Sequence, residues 1–356
     1  MVRLALGLIG CGNIARSAHL PAMARLADRV RLVATADTSL AAAEAAAAPW
    51  GADAYADWRR LVERRDITAV VIATPEFVHE EQVVAAAATA KHVLCEKPMC
   101  RSLAEADCML AACRRAGVVL LIGHSRRFTR RYMEVRRALD EGAIGAVRLL
   151  RENERRTSTH MARMGQAGTR WTPAHWTGDP AVGMGVTLSH GIHEVDLLRW
   201  FAGTEPVSAY AEQAVTAEGN IGVPDLVSFV LRFAGGAIGG SEISYHPPAS
   251  YPAYHQLELY GTEGVIRARD HELVETTTYD ANGVHFPGTY DLFLHNVTAY
   301  TRQLAEFVGA IRGGRDVCMP PTEARAALAV TLALIKSART GREVVLGNAA
   351  VPGAVA

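Results

Sequence analysis

The stretch Gly10-Cys11-Gly12-Asn13-Ile14-Ala15 constrains this chain more than any other. It follows an apolar run, Arg3–Ile9, and reads as a G-x-G-x-x-A turn between a strand and a helix. Small residues let the backbone turn tightly and lie close to a pyrophosphate. The helix that opens at Asn13 and Ile14 then aims unpaired N–H groups and its positive end at the phosphates. A second apolar run, Arg31–Ala36, ends at Asp37, 25 residues after Gly12. That is close to the ~20 typical of an acidic residue that accepts ribose hydroxyls. No arginine follows in Asp37-Thr38-Ser39. A 2′-phosphate would meet only negative charge there, so the reading is NAD, with NADP disfavoured.

The next segments repeat the pattern. Ala69–Ala73, His92–Cys95 and Val118–Ile122 are short apolar runs, as expected of strands buried on both faces. Leu40–Ala48, Phe77–Ala90 and Leu103–Arg115 read as helices, the last stopped at Gly117. Strand and helix in rotation predict a parallel α/β sheet. After Gly123 the pattern changes. Phe128–Asp140 and Ser189–Phe201 read as helices, with a long polar stretch, Thr157–Gly185, between them. From Pro206 to Thr277 strands follow one another without helices, which predicts a largely antiparallel sheet. Two helices, about Val297–Arg312 and Thr322–Arg339, come last. At ~150 residues per domain, 356 residues suit two domains. The expected division is a Rossmann dinucleotide-binding domain over 1–123 and a substrate-binding and oligomerisation domain over 124–356. The fold class is α/β in the first and α+β, with a large open, mostly antiparallel sheet, in the second.

Composition excludes several classes. Acidic and basic residues number 37 each, so no basic surplus calls for nucleic acid or an anionic membrane. No apolar run approaches the ~18 residues of a membrane span, and the apolar opening reads as a first strand and not as a signal peptide. Six cysteines without a C-x-x-C pair suit reduced thiols in a cytoplasmic protein.

The strand ends carry the chemistry. In open α/β sheets the ligand crevice lies at the carboxyl ends of the strands. Thr74 and Pro75 therefore line the dinucleotide, and His79 either joins them or lies on a helix surface. Glu96-Lys97-Pro98 ends the following strand on the same side. Only three of the 37 basic residues are lysine, namely Lys91, Lys97 and Lys336. A partly buried lysine can give up its proton and arginine cannot, so Lys97 suits a reacting hydroxyl or carbonyl. In Ser189-His190-Gly191-Ile192-His193-Glu194-Val195-Asp196, His193, Asp196 and Trp200 share one helical face. His193 titrates near neutrality and suits proton exchange with a hydroxyl whose carbon loses hydride. His190, His193 and Glu194 lack metal-ligand spacing, so no metal is expected.

The glycine turn, Thr74-Pro75 with His79, Lys91-His92-Val93-Leu94-Cys95-Glu96-Lys97-Pro98 and Tyr260-Gly261-Thr262-Glu263-Gly264 occur in order at suitable spacing. Together they resemble the Gfo/Idh/MocA oxidoreductases, from Leu4 to about Leu346. The resemblance implies a Rossmann domain followed by an open-sheet domain that makes homodimers or homotetramers. It implies hydride transfer between NAD and a secondary alcohol or ketone of a sugar, cyclitol or related ring. By the same resemblance Lys97 contacts the reacting oxygen, Lys97–Pro98 is a cis peptide, and His193 is the general acid/base. Asp196 is structural, and Arg127 belongs to a segment that faces the pocket. Many members carry Asp four residues before that histidine, where this chain has Ser189, followed by His190. The usual Asn after Thr-Pro is Glu76 here. A serine cannot raise the basicity of His193 as a carboxylate would.

The resulting expectation is a dehydrogenase or ketoreductase. Gly10, Gly12, Asn13, Ile14, Asp37, Thr74, Pro75, His79, Glu96 and Lys97 hold the dinucleotide. Lys97 and His193 handle the reacting oxygen. Arg127, Trp171, His175, Trp176, Ser189 and His190 are candidate substrate contacts, since aromatic faces suit the apolar side of a sugar ring. An NAD-retaining glycoside hydrolase and a non-enzymatic sugar or dinucleotide sensor are the alternatives.

Overall fold

The computed structural model describes residues 2–155, 184–216, 222–244, 254–270, 273–280 and 283–347. The chain divides into two compact units, Met1–Phe128 with Asn296–Arg325, and Thr129–His295 with Ala326–Ala356.

In the first unit the apolar runs become β1 (Leu4–Ile9), β2 (Val30–Ala36), β4 (Ala69–Ile72), β5 (His92–Cys95) and β6 (Leu120–Ile122). A short β3 (Asp53–Tyr55) joins at one edge. They form one parallel sheet in the order β3-β2-β1-β4-β5-β6. Every side chain of β1 and β4 is buried, which is why those runs show no polar alternation. The order reverses at β1, so β1 and β4 lie side by side with their crossovers diverging. That arrangement opens a crevice at their carboxyl ends. The crossover helices include α1 (Leu20–Arg25), α2 (Leu40–Ala47), α3 (Trp58–Val62), α4 (His79–Ala88) and α5 (Leu103–Ala116). Ser102 and Glu105 close a capping box at the start of α5, and Gly117 takes the left-handed conformation at its end.

The second unit holds a nine-stranded sheet in the order β14-β13-β12-β11-β7-β10-β9-β8-β15, with β8 at Pro206–Ala214, β11 at Tyr254–Gly261, β12 at Gly264–Asp270, β13 at Leu273–Asp280, β14 at Gly283–Asp291 and β15 at Val344–Val345. Its pairings are antiparallel except for β7 (Val147–Arg155) with β10 (Ile238–Ser244). In β9 (Leu226–Phe233), Val227, Phe229, Leu231 and Phe233 are buried while Ser228, Val230 and Arg232 are exposed. This two-residue alternation marks a sheet with one covered face. α6 (Arg130–Asp140), α7 (Gly185–Ser189) and α8 (Gly191–Ala202) also belong to this unit. α9 (Leu292–Gly313) and α10 (Pro321–Thr340) follow the sheet, and Asn296–Arg325 belongs to the first unit.

Candidate active site

β1 delivers the chain to Gly10, whose φ is +87°. A Cβ at Gly10 would stand 2.7 Å from the Ala73 carbonyl, so the close approach of two strand ends demands glycine. At Gly12 a Cβ would meet nothing within 4 Å. The protein's own packing does not require that glycine; its bare backbone leaves the space above the turn open, as a pyrophosphate would need. The buried Asn13 Nδ2 has no partner among the described residues and is a spare donor at the same turn. Ile14 leads into a π-helical turn, Ala15–His19, that continues as α1. Asp37 sits beside the turn. Its Oδ2 accepts the Cys11 N–H at 2.7 Å and its Oδ1 the Ser39 N–H at 2.9 Å. Each oxygen keeps lone-pair capacity for a ribose hydroxyl. These features fit a dinucleotide. Burial, followed by the Asp37 charge, pushes the Cys11 thiol up to about 12.

Thr74 and Pro75 follow β4 on the same edge. The Thr74 hydroxyl donates to Gln82 Oε1 at 2.6 Å. His79 is 1% exposed, so it is not a surface residue. Its Nε2 lies 2.9 Å from the Thr74 carbonyl oxygen and its Nδ1 3.0 Å from that of Pro98. The ring therefore braces two strand ends against each other. Burial lowers its pKa below the ordinary histidine value. Glu76 is 3% exposed, and burial raises its carboxyl to about 7 against the lowering influence of its own backbone, Lys97 and Arg101.

Glu96-Lys97-Pro98 follows β5, and the Lys97–Pro98 bond is cis. Glu96 is buried, and its Oε1 lies 2.9 Å from His19 Nε2. Its Oε2 accepts the Lys97 backbone N–H at 3.2 Å. A Cβ at Gly123 would stand 3.1 Å from Glu96 Cα and 3.2 Å from its carboxyl, so glycine after β6 lets the carboxylate sit there. The turn Ser125–Phe128 then presents Arg127, whose guanidinium lies 3.6 Å from Glu323.

In the second unit α7 and α8 carry the histidine segment. The Ser189 hydroxyl donates to the Gly185 carbonyl at 3.0 Å and lies 3.3 Å from His190 Nδ1. His193 is 8% exposed, Glu194 and Asp196 are fully buried, and the His190 and His193 rings are 6.3 Å apart. β7 contributes Glu152 and Glu154, and β11 (Tyr254–Gly261) contributes His255. His255 Nε2 lies 3.2 Å from Glu154 Oε1, and ligand-type atoms of Glu152, Glu194 and His255 all fall within 4.8 Å of one another. Among the described residues these are the ones whose donor types and spacing could hold a metal ion. Sequence spacing did not reveal them because they come from two strands and a helix. Trp171, His175 and Trp176 lie outside the described residues.

Sequence reasoning also missed His19 and Tyr300. The two rings meet edge to face, 5.0 Å apart at 86°. Only their separate burial could have hinted at them, since 281 positions of chain divide the two.

Residues 4–124 match the family described as "Oxidoreductase family, NAD-binding Rossmann fold". Residues 132–267 match the GFO/IDH/MocA C-terminal domain. The chain is 30% identical over 346 residues to inositol 2-dehydrogenase of Rhizobium meliloti (strain 1021), covering 95% of this chain and 98% of that one. It is 30% identical over 343 residues to 1,5-anhydro-D-fructose reductase of Ensifer adhaerens, covering 94% and 96%. A crystal structure from Sinorhizobium meliloti 1021, assigned as a myo-inositol dehydrogenase, superposes with a TM-score of 0.79 at 28% identity, covering 97% of this chain and all of that one.

Proposed function

This chain belongs to the GFO/IDH/MocA family of oxidoreductases and binds NAD, and on that premise we propose that Lys97 and His193 carry its chemistry. The substrate is a secondary alcohol or ketone on a sugar, cyclitol or related ring, the class named for the relatives. When bound, the nicotinamide supplies the site that takes or gives the hydride. Lys97 then donates a hydrogen bond to the reacting oxygen, which stabilises alkoxide character there. His193 takes the hydroxyl proton in oxidation and returns it in reduction. Asp37 accepts the ribose hydroxyls and repels a 2′-phosphate, which sets NAD above NADP. His190, Ser189 and Arg127 contact the substrate in this reading, as do Trp171, His175 and Trp176.

The observation that carries this reading is that Gly10, Asp37, Thr74 and Glu96-Lys97-Pro98 all follow the carboxyl ends of strands in one parallel sheet. Residues 1–123 hold the dinucleotide, with Asn296–Arg325 completing their compact unit, and the remainder of 124–356 serves substrate and assembly. No helix of the described residues is long and apolar enough to cross a membrane, and the six cysteines are free, consistent with the cytoplasm. The outer face of the second sheet exposes Tyr210, Val230 and Ile238, with Tyr210 paired to Val230 across β8 (Pro206–Ala214) and β9. Apolar side chains of that size on an open sheet suit a homodimer or homotetramer contact.

The test is steady-state turnover of myo-inositol with NAD and of 1,5-anhydro-D-fructose with NADH, followed at 340 nm. Lys97→Ala and His193→Ala should each lower kcat by 10²-fold or more while NADH affinity holds. Near-native kcat in both variants overturns the assignment.

A further inference from the structure

We propose that His19 is a positioning residue for Lys97: it holds the Glu96 carboxylate in place, and Glu96 in turn fixes the backbone from which Lys97 reaches the reacting oxygen. The proposal rests on the Lys97 reading above.

His19 ends the π-helical turn that follows the glycine turn, a local widening of the helix that is frequent at functional sites. The side chain is 2% exposed. Its Nε2 lies 2.9 Å from Glu96 Oε1, a contact that spans 77 residues of chain. The Tyr300 ring closes on the imidazole from α9. The other carboxylate oxygen, Oε2, accepts the backbone N–H of Lys97. One carboxylate thus bridges the helix behind the phosphate turn to the residue that carries the amine. The bare Cα of Gly123 abuts Glu96 on a further side.

The charges agree with this arrangement. Burial pushes the Glu96 carboxyl up. The hydrogen bond and charge of His19, and then the charge of Lys97, more than reverse that and leave it below the ordinary carboxylate value. A buried carboxylate without such a partner would take up a proton instead. Burial, followed by the Glu96 charge, holds the Tyr300 phenol well above its ordinary value, so it remains neutral beside the pair. The titratable and charged groups around Glu96 are His19, Lys97, Tyr300, His79 and Cys95, with Arg126 acting on Tyr300. His19, through its hydrogen bond and charge, and Lys97, through its charge and its backbone N–H, draw the carboxyl down.

Removing His19 leaves a desolvated carboxyl that protonates, loosens its grip on the Lys97 N–H and withdraws negative charge from the amine. The Nε2 of a glutamine can stand where the imidazole Nε2 stood, so His19→Gln keeps a hydrogen bond to Glu96.

The experiment reads two quantities in His19→Ala, His19→Gln, Glu96→Gln and the double variant H19A/E96Q. The first is kcat and KM with myo-inositol and NAD, alongside NADH affinity by fluorescence. The second needs neither cofactor nor substrate. The chain has three lysines, so Nζ-15N-lysine NMR gives a resonance for Lys97 that Lys97→Arg identifies by its loss. His19→Ala should lower kcat by 10–100-fold with KM and NADH affinity within about threefold, and Glu96→Gln should lower kcat by a similar factor. Both should lower the Lys97 titration midpoint. The double variant should be no worse than the worse single, because both remove one linkage. His19→Gln should recover most of kcat. If His19→Ala does not fold, the isosteric Glu96→Gln must show the same kcat loss and the same downward midpoint. Unchanged kcat in the folded variants, an unmoved Lys97 midpoint, or additive losses in the double variant overturn the proposal. So does loss of NADH binding in step with kcat in His19→Ala. If Lys97→Ala is itself fully active, it is the underlying reading that has failed, whatever His19 does.

Discussion

Asp37 and Cys11 are tied through the backbone: the amide in the middle of the glycine turn donates to the carboxylate at the end of β2, 2.7 Å away. The Ser39 amide holds the second oxygen. The acceptor for the ribose is therefore built before any ligand arrives, and its orientation costs nothing on binding.

Replacing Asp37 by Ser removes the negative charge and both anchored acceptors. NADH affinity should fall by about 10–100-fold, the worth of one or two charge-assisted hydrogen bonds. NADPH affinity should rise or hold. Fluorescence titration with both nucleotides checks this, and an unchanged NADH to NADPH ratio contradicts it.

Glu76 makes stability depend on pH. Its carboxyl lies at about 7 in the fold against an ordinary 4.5, because burial disfavours its charge. A raised carboxyl contributes stability that is fully present below its unfolded value and is lost as pH rises through its folded value. Between about pH 4.5 and 7 the folded state should lose up to roughly 3 kcal/mol from this group alone. Glu76→Gln should therefore raise Tm relative to the parent at pH 8 and leave it nearly unchanged at pH 4.5. Calorimetry at the two pH values decides the matter, and an equal shift at both would show that the effect is not titration.

Ser189 spends its hydroxyl on its own helix, at the Gly185 carbonyl. Aspartate there would place negative charge one helical turn before His193 and raise the basicity of the imidazole. Ser189→Asp should move the acidic limb of the kcat/KM profile upward by about one pH unit. A profile that superposes on the parent would show that position 189 does not act on His193.

The site is legible in the sequence where it is local. The glycine turn, Asp37, Thr74 and Lys97 each sit just beyond an apolar run, and such runs end where the sheet ends. Ser189–Phe201 reads as one helix in the sequence, whereas His190 interrupts it between α7 and α8. The strand-rich stretch is expected to end at Thr277, whereas β13 (Leu273–Asp280) runs past it and β14 (Gly283–Asp291) follows, because Thr276, Thr277 and Thr278 in the one and Gly288 in the other give no clean alternation. The pairing of His19 with Glu96, and the approach of Glu152, Glu194 and His255, depend on tertiary contacts that no window of sequence contains. Asn296–Arg325 joins the first unit by the same long-range logic.

That last return has a consequence for biosynthesis. As a nascent polypeptide leaves the ribosome, Met1–Phe128 emerges first, yet Tyr300 and the rest of its helical complement follow only after the whole of Thr129–His295 has been translated. The nucleotide-gripping half, although encoded first, reaches its finished form late, and until then the imidazole of His19 lacks its aromatic neighbour.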